Sequence, residues 1–267
     1  LGNRRISDVT RADVSQFMQD VAAGKTAADV KTGKRGRAIV MGGKGTATRT
    51  VGLLGGIFSF AVEAAWLKEN PVRGVKRYRD RRNERFLAAG ELTRLGEALA
   101  AAEASGENPF ALAIIRLLIL TGARKGEIER LKWEEVDRQF QYLRLGDSKT
   151  GQKLIVLNAA ALAILDRVPR NALSGFVFPA TKSGGWYQGT PKVWRKIRVS
   201  ANFQNVRLHD LRHSYASVAI SRGKSLSLIG VLLGHNSSAT TMRYAHLSED
   251  PVRAAADDIA IQITNAM

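Results

Sequence analysis

The stretch Leu208–Leu247, LHDLRHSYASVAISRGKSLSLIGVLLGHNSSATTMRYAHL, constrains this chain more than any other. It holds all four histidines of the protein, His209, His213, His235 and His246. His209 and Arg212 are three apart and project from one face of a helix. An apolar run then leads into Gly234-His235, and Tyr244 follows nine positions later. Far upstream, Thr121-Gly122-Ala123-Arg124 opens a short helix, GEIERLKW. A fold that gathers these pieces makes a phosphate clamp of two arginines, with histidines for proton transfer and a tyrosine oxygen as nucleophile.

The chemistry follows from the residue types. A phosphodiester is an anion, so attack on it by a second oxygen needs charge neutralised. Arginine's planar fork meets two phosphate oxygens and keeps its proton. Arg124 and Arg212 are the two candidates for that task. A tyrosine hydroxyl is protonated at neutral pH and needs a base or a cationic setting before it can attack. Tyr244 has such a setting, and it follows Gly234-His235 in the frame GH-(eight residues)-Y; Tyr78, Tyr142, Tyr187 and Tyr215 have no such frame.

Five motifs, TGARKGE, SKTG, HDLRH, LGH and RYAHL, occur in that order. Together they resemble the tyrosine recombinase (phage integrase) family, over roughly the last two-thirds of the chain. The resemblance implies that Tyr244 attacks phosphorus, forms a 3′-phosphotyrosyl bond and releases a 5′-hydroxyl, with neither metal nor ATP. It implies that Lys149 is a mobile lysine that protonates the leaving oxygen, with Lys153 on the other hairpin arm as the fallback. His209 is similar to the family's acid/base histidine, His235 to its phosphate donor, and Glu127 to an acidic position that orients its neighbours. His213 and His246 are left as structural. Implied partners are a double-stranded DNA attachment site, a homotetramer exchanging strands through a Holliday junction, and accessory DNA-bending or directionality proteins. No cofactor is implied.

Charge agrees with a nucleic-acid partner. The 267 residues carry a net +17, and a globular chain this basic meets a polyanion. Apolar residues at 45% give it a packed core. No cysteine is present, so disulfides and thiolate metal sites are excluded. His209 and His213 are spaced like zinc ligands, but the hydrolytic frame wants glutamate after the first histidine and here stands Asp210. The longest apolar run, Ala111 to Leu120, is interrupted by Arg116 and too short for a bilayer. We therefore expect no membrane partner and a cytoplasmic protein, bacterial or phage-encoded.

The expected fold is mainly α with a small antiparallel β-hairpin or sheet. Residues 1–75 read as a helical, SAM-like core-binding domain lacking its first helix or a preceding domain. Thr10 caps one helix with Asp13 answering; a second runs from Thr46 to Asn70-Pro71, since the residue before proline avoids helical geometry. Between them the basic stretch KTGKRGRAIVMGGKG fails the P-loop pattern and reads as a loop or short hairpin, solvated or touching DNA. Residues 76–85 form a linker within a basic run, Arg73 to Arg85. Candidate DNA contacts are Lys34, Arg35, Arg37, Lys44, Arg73, Lys76 and Arg77. Residues 86–267 read as a mixed α/β integrase-type catalytic domain. There the spacing predicts helices over Glu91–Ala104 and Pro109–Thr121, and a hairpin over Gln141–Asn158, the clear sheet element, with Phe176–Phe178 as an added strand. A terminal helix, Pro251 to Asn265, carries Ile259, Ala260 and Ile263 on one face, for a neighbouring protomer or for its own domain.

Three other readings remain. Ser225 to Tyr244 would pass for a helix-turn-helix, making the chain a non-catalytic DNA-binding regulator. A type IB topoisomerase or a hairpin telomere resolvase would share the chemistry. A recombinase-like protein without cleavage would share the motifs.

Overall fold

The computed structural model describes residues 2–33, 36–79, 85–148, 151–171, 173–180, 184–235, 237–247 and 251–267. The chain divides into two compact units, Leu1–Asn83 and Glu84–Met267.

In the first unit, α1 (Arg11–Ala22) begins with a reciprocal capping box between Thr10 and Asp13, as the sequence predicts. A hairpin follows, β1 (Ala28–Lys31) against β2 (Arg37–Val40), with all its strand residues exposed. The hairpin alternative for the basic stretch is therefore the one realised. Val14, Met18 and Val21 of α1 pack on Ala47, Val51 and Phe58 of α2 (Lys44–Glu63), and Val72 closes the cluster. Contrary to expectation, α2 stops seven residues short of Asn70. The Trp66 amide reaches back to the Ala61 carbonyl and the Ala65 amide to Val62, with Ala65 left-handed at φ 59°. This is a Schellman stop, closed here without glycine. Asn70 instead ties the return chain to α2, donating to the Gly55 carbonyl at 2.9 Å and to Ser59 at 3.0 Å.

The second unit is built around α4 (Pro109–Thr121), which starts at the Asn108 cap and is buried along most of its length. α3 (Ala89–Ala104), α6 (Ala159–Arg167), α7 (Thr190–Ser200) and α8 (Leu208–Ser221) pack around it. Gly122 ends α4 in the left-handed conformation, and α5 (Lys125–Glu129) follows at once. The antiparallel sheet has order β3–β4–β5, from Val136–Asp137, Tyr142–Ser148 and Gly151–Val156. Leu143 pairs with Ile155 and Leu145 with Lys153, all four turned inward and buried.

Two expectations about the sheets change. A third strand joins the expected hairpin, and the first unit has a second sheet. Phe176 makes only an isolated bridge to Lys132, while Val177 and Phe178 are fully buried; that apolar run reflects burial and not a strand.

After α9 (Leu226–Leu233), the segment read as a recognition helix is the four-residue α10 (Ser238–Thr241), which tightens into a 3₁₀ turn over Met242–Leu247. The last helix, α11, spans Pro251–Ala266 and leaves Ile259 and Ile263 exposed, so they do not fold back onto their own domain. Among the described residues no helix is long and apolar enough to cross a membrane.

Candidate active site

The site grows out of two helix C-termini. Helix ends expose carbonyls that lack intrahelical partners and carry partial negative charge. Arg212 meets two such ends at once: its terminal nitrogens donate to the Gly122 carbonyl after α4 and to the Leu233 carbonyl of α9, both at 2.7 Å. Two of its five N–H groups are engaged this way. The residue is 3% exposed, and burial first, then Arg124, lowers its pKa to about 10. It remains charged at neutral pH and fixed in place.

Both helix ends need glycine. Gly122 and Gly234 are left-handed, at φ 64° and 65°. A Cβ on Gly122 would fall 2.7 Å from the Tyr215 ring and 2.8 Å from Leu233. One on Gly234 would run into the stem of Lys153.

Arg124 caps α5, and Glu127 answers it. The carboxylate of Glu127 accepts the Arg124 amide at 2.7 Å, its guanidinium at 2.8 Å and the Lys153 ammonium at 2.7 Å. Burial alone would raise the Glu127 pKa, but Lys153, then the Arg124 amide, hold it below the ordinary carboxylate value. Lys153 is 7% exposed; desolvation lowers its pKa to about 8 although Glu127 opposes the shift. Its ammonium is held by that ion pair, which does not suit the mobile acid for which Lys153 was the fallback. Lys149 itself lies outside the described residues.

His235 stands just past Gly234. Its amide returns to the Gly230 carbonyl and its Nδ1 lies 2.8 Å from the Thr241 hydroxyl. Burial, then Arg212, Arg124 and Lys153, push its pKa down to about 4, so the ring is neutral at pH 7. His209, with an exposed edge, is shifted down in the same order, by partial desolvation and then Arg212 and Arg207.

Tyr244 is 4% exposed and packs with Ala216, Ile220, Ile229 and Leu233. It lies close enough to Arg212 for the two to interact electrostatically. Its hydroxyl is 2.7 Å from Nδ1 of His213, the histidine that the sequence reading left as structural. His213 thus touches the tyrosine oxygen. The side chain of His246 lies outside the described ones.

Thus Arg124, Glu127, Arg212, His209, His235 and Tyr244 fall into one neighbourhood, drawn from four segments of the chain. Beside Arg124 a cleft of about 780 Å³ opens, lined also by Glu127, Arg130, Arg144, Phe176 and Trp186. Arg130 and Arg144, unflagged by the sequence motifs, add positive charge to it. Among the described residues no group of three or more potential metal ligands converges.

Comparison with known proteins adds an independent observation: residues 85–250 match the phage integrase family. The chain belongs to that family. Among its curated relatives, a prophage integrase of Escherichia coli strain K12 is 28% identical over 51% of this chain and 30% of its own length. A shufflon-specific DNA recombinase of Escherichia coli is 28% identical over 91% of this chain and 59% of its own. The chain therefore spans less than two-thirds of either. The tyrosine recombinase XerC of Halalkalibacterium halodurans is 26% identical over 79% of this chain and 74% of its own. In fold, a lambda integrase dimer bound to a COC′ core site superposes with TM-score 0.65 at 18% identity, over 90% of this chain and 84% of that one. A mainly helical fold with a small antiparallel sheet is what this family likeness requires.

The remaining predicted residues belong to the first unit or lie outside the description. Lys34 and Arg35 are among the undescribed residues. Arg37 pairs with Asp29 across the hairpin, and the Lys44 ammonium lies 5.6 Å from the Tyr78 ring. Arg73, Lys76 and Arg77 are exposed.

Proposed function

We propose that this chain is a site-specific DNA recombinase of integrase type, cleaving and rejoining DNA through a 3′-phosphotyrosyl intermediate at Tyr244. The observation that carries the proposal is a buried Tyr244 packed with Leu233, whose carbonyl anchors the buried Arg212, within the span that matches the family. Arg212 and Arg124 neutralise the phosphate and stabilise the charge that develops during attack. Glu127 and Lys153 hold Arg124 in orientation. His235, neutral and beside the arginines, hydrogen-bonds the phosphate, and His209 exchanges protons at the site's edge. Lys149, which falls between β4 and β5 in the sequence, protonates the departing 5′-oxygen. The energy of the broken phosphodiester stays in the phosphotyrosyl bond, so rejoining needs no ATP and no metal.

In this reading residues 1–75 are the core-binding domain, 76–85 the linker and 86–267 the catalytic domain. Lys34, Arg35, Arg37, Lys44, Arg73, Lys76 and Arg77 contact the duplex backbone, which makes binding strongly salt-dependent. Four protomers act on two attachment sites through a Holliday junction, with α11 packing on a neighbour and accessory DNA-bending or directionality proteins assisting. A lambda integrase tetramer bound to a Holliday junction is among the structures this fold resembles, with TM-score 0.62 at 19% identity. The work takes place on DNA in a bacterial cytoplasm. The regulator reading finds little support, because the four-residue α10 is too short to lie along a major groove.

The test is a nicked suicide duplex carrying the junction of the genetic element that encodes the chain, without metal or ATP. Wild type should leave protein covalently bound to DNA after denaturation, and Tyr244→Phe should bind the duplex but leave none. Binding by both with an adduct from neither would overturn the recombinase reading.

A further inference from the structure

The tyrosine at position 244 does not stand alone in its pocket. The 2.7 Å contact between its hydroxyl and His213 Nδ1 is buried, and both residues are 4% exposed. The His213 ring is itself fixed: it lies on the first turns of α8, where Asp210, Leu211, Arg212, His213 and Ser214 are all buried. His209, one turn earlier, stands edge-on to it, with ring centroids 4.9 Å apart and planes at 87°. This juxtaposition joins a nucleophile to a nitrogen base one residue from the arginine that holds the phosphate.

We propose that His213 is the general base for Tyr244, a catalytic residue of the strand-cleavage step. The inference rests on the recombinase reading above. In cleavage, the Tyr244 oxygen forms its bond to phosphorus while the phosphorus–O5′ bond breaks. The phenolic proton passes to His213 Nδ1, and the departing 5′-oxygen takes its proton from Lys149. In rejoining, the 5′-hydroxyl attacks and gives its proton back to Lys149, the phosphorus–tyrosine bond breaks, and His213 returns the proton to Tyr244. Protons balance over the two steps.

The surroundings fit a group that must begin neutral. Burial first, then His209 and Arg243, and lastly Arg207 push the His213 pKa down to about 4, with Asp210 opposing. These groups, from α8, its N-cap and the 3₁₀ turn, are the charges that face the ring. The ring is therefore unprotonated at neutral pH and can accept a proton. A phosphate brought in by Arg212 and Arg124 adds negative charge nearby, which raises the basicity of His213 when the substrate is bound.

The measurement is the single-turnover rate of adduct formation against pH on the suicide duplex, with duplex binding followed by mobility shift. Wild type should show an acid limb that reports protonation of the base in the bound complex. His213→Asn keeps an acceptor oxygen near the Nδ1 position but cannot take a proton at these pH values. It should bind DNA as wild type does, cleave about 100-fold more slowly, and lose the acid limb. A 5′-bridging phosphorothiolate, whose leaving sulfur needs no proton, should restore Lys149→Ala and leave His213→Asn slow. Three results would overturn the proposal: a wild-type profile with no acid limb down to about pH 4, His213→Asn within a few-fold of wild type, or its rescue by the phosphorothiolate. The wild-type profile stands whether or not the variant folds. An adduct lost only in Tyr244→Phe would leave the recombinase reading intact while removing His213 from it.

Discussion

The two walls of the site are anchored on cores of very different size. Arg124, Glu127 and Lys153 stand on Ala123, Ile128, Leu131, Leu143, Leu145 and Ile155, all part of the main core around α4. Tyr244 stands on a satellite of Ala216, Ile220, Ile229 and Leu233. Arg212 bridges them, with one hydrogen bond to the end of α4 and one to the end of α9. The difference predicts a division of labour: a clamp as rigid as the domain, and a nucleophile's wall that opens locally without unfolding it.

Breaking the bridge should have the largest effect. Arg212→Lys keeps the charge but cannot span both carbonyls and a phosphate. Adduct formation should fall about 10²- to 10³-fold, measured as single-turnover cleavage at saturating DNA. A loss confined to DNA affinity would contradict the bridging role.

The clamp wall comes next. Lys153→Met strands the buried Glu127 carboxylate with Arg124 as its remaining charged partner, and leaving one member of a buried pair costs about 3 kcal/mol. Urea denaturation should show this loss in the global transition. Glu127→Gln in the same background should recover part of it, because the stranded charge is gone.

Cavities separate the walls more finely. Leu117→Ala in α4 should cost about 3 kcal/mol of global stability. Ile229→Ala should instead raise hydrogen exchange in α9 and the Tyr244 turn, by about 2 kcal/mol of local opening, with α4 amides unchanged. Equal effects on both regions would mean that the satellite is not a separate unit.

The smallest expected effect is with pH. His213 and His235 have folded pKa values near 4, below the unfolded value of 6.5. The native state then binds fewer protons than the unfolded state between those values. Stability contributed by the neutral rings is complete above about pH 6.5 and is lost as pH falls toward 4. After screening, the loss is on the order of 1 kcal/mol per ring. It should appear first as exchange in the nucleophile's wall, and His235→Asn should flatten its share.

Much of this was legible in the chain because spacing alone carries it. Thr10 with Asp13 announces a helix start that the structure reproduces, and the helix expected over Pro109–Thr121 has those bounds. The arginines, His235 and Tyr244 were visible as motifs. Lys153 was named only as the fallback for Lys149. Yet strand alternation places Lys153, Ile155 and Leu157 on one face, and that face is buried. His213 needed the fold itself: Tyr244 is thirty-one residues away, returned by the turn after α9. The end of α2 was hidden because Ala65, which has no special liking for φ 59°, makes the stop that glycine would have signalled.

The most direct test of the central claim is to locate the covalent bond. The DNA-linked peptide from a denatured wild-type adduct would be released by protease digestion and sequenced by mass spectrometry. The account predicts a single phosphotyrosyl link at Tyr244, on the 3′ side of the break, with a free 5′-hydroxyl on the other strand end. A link to any other residue, or to a 5′-phosphate, would contradict it.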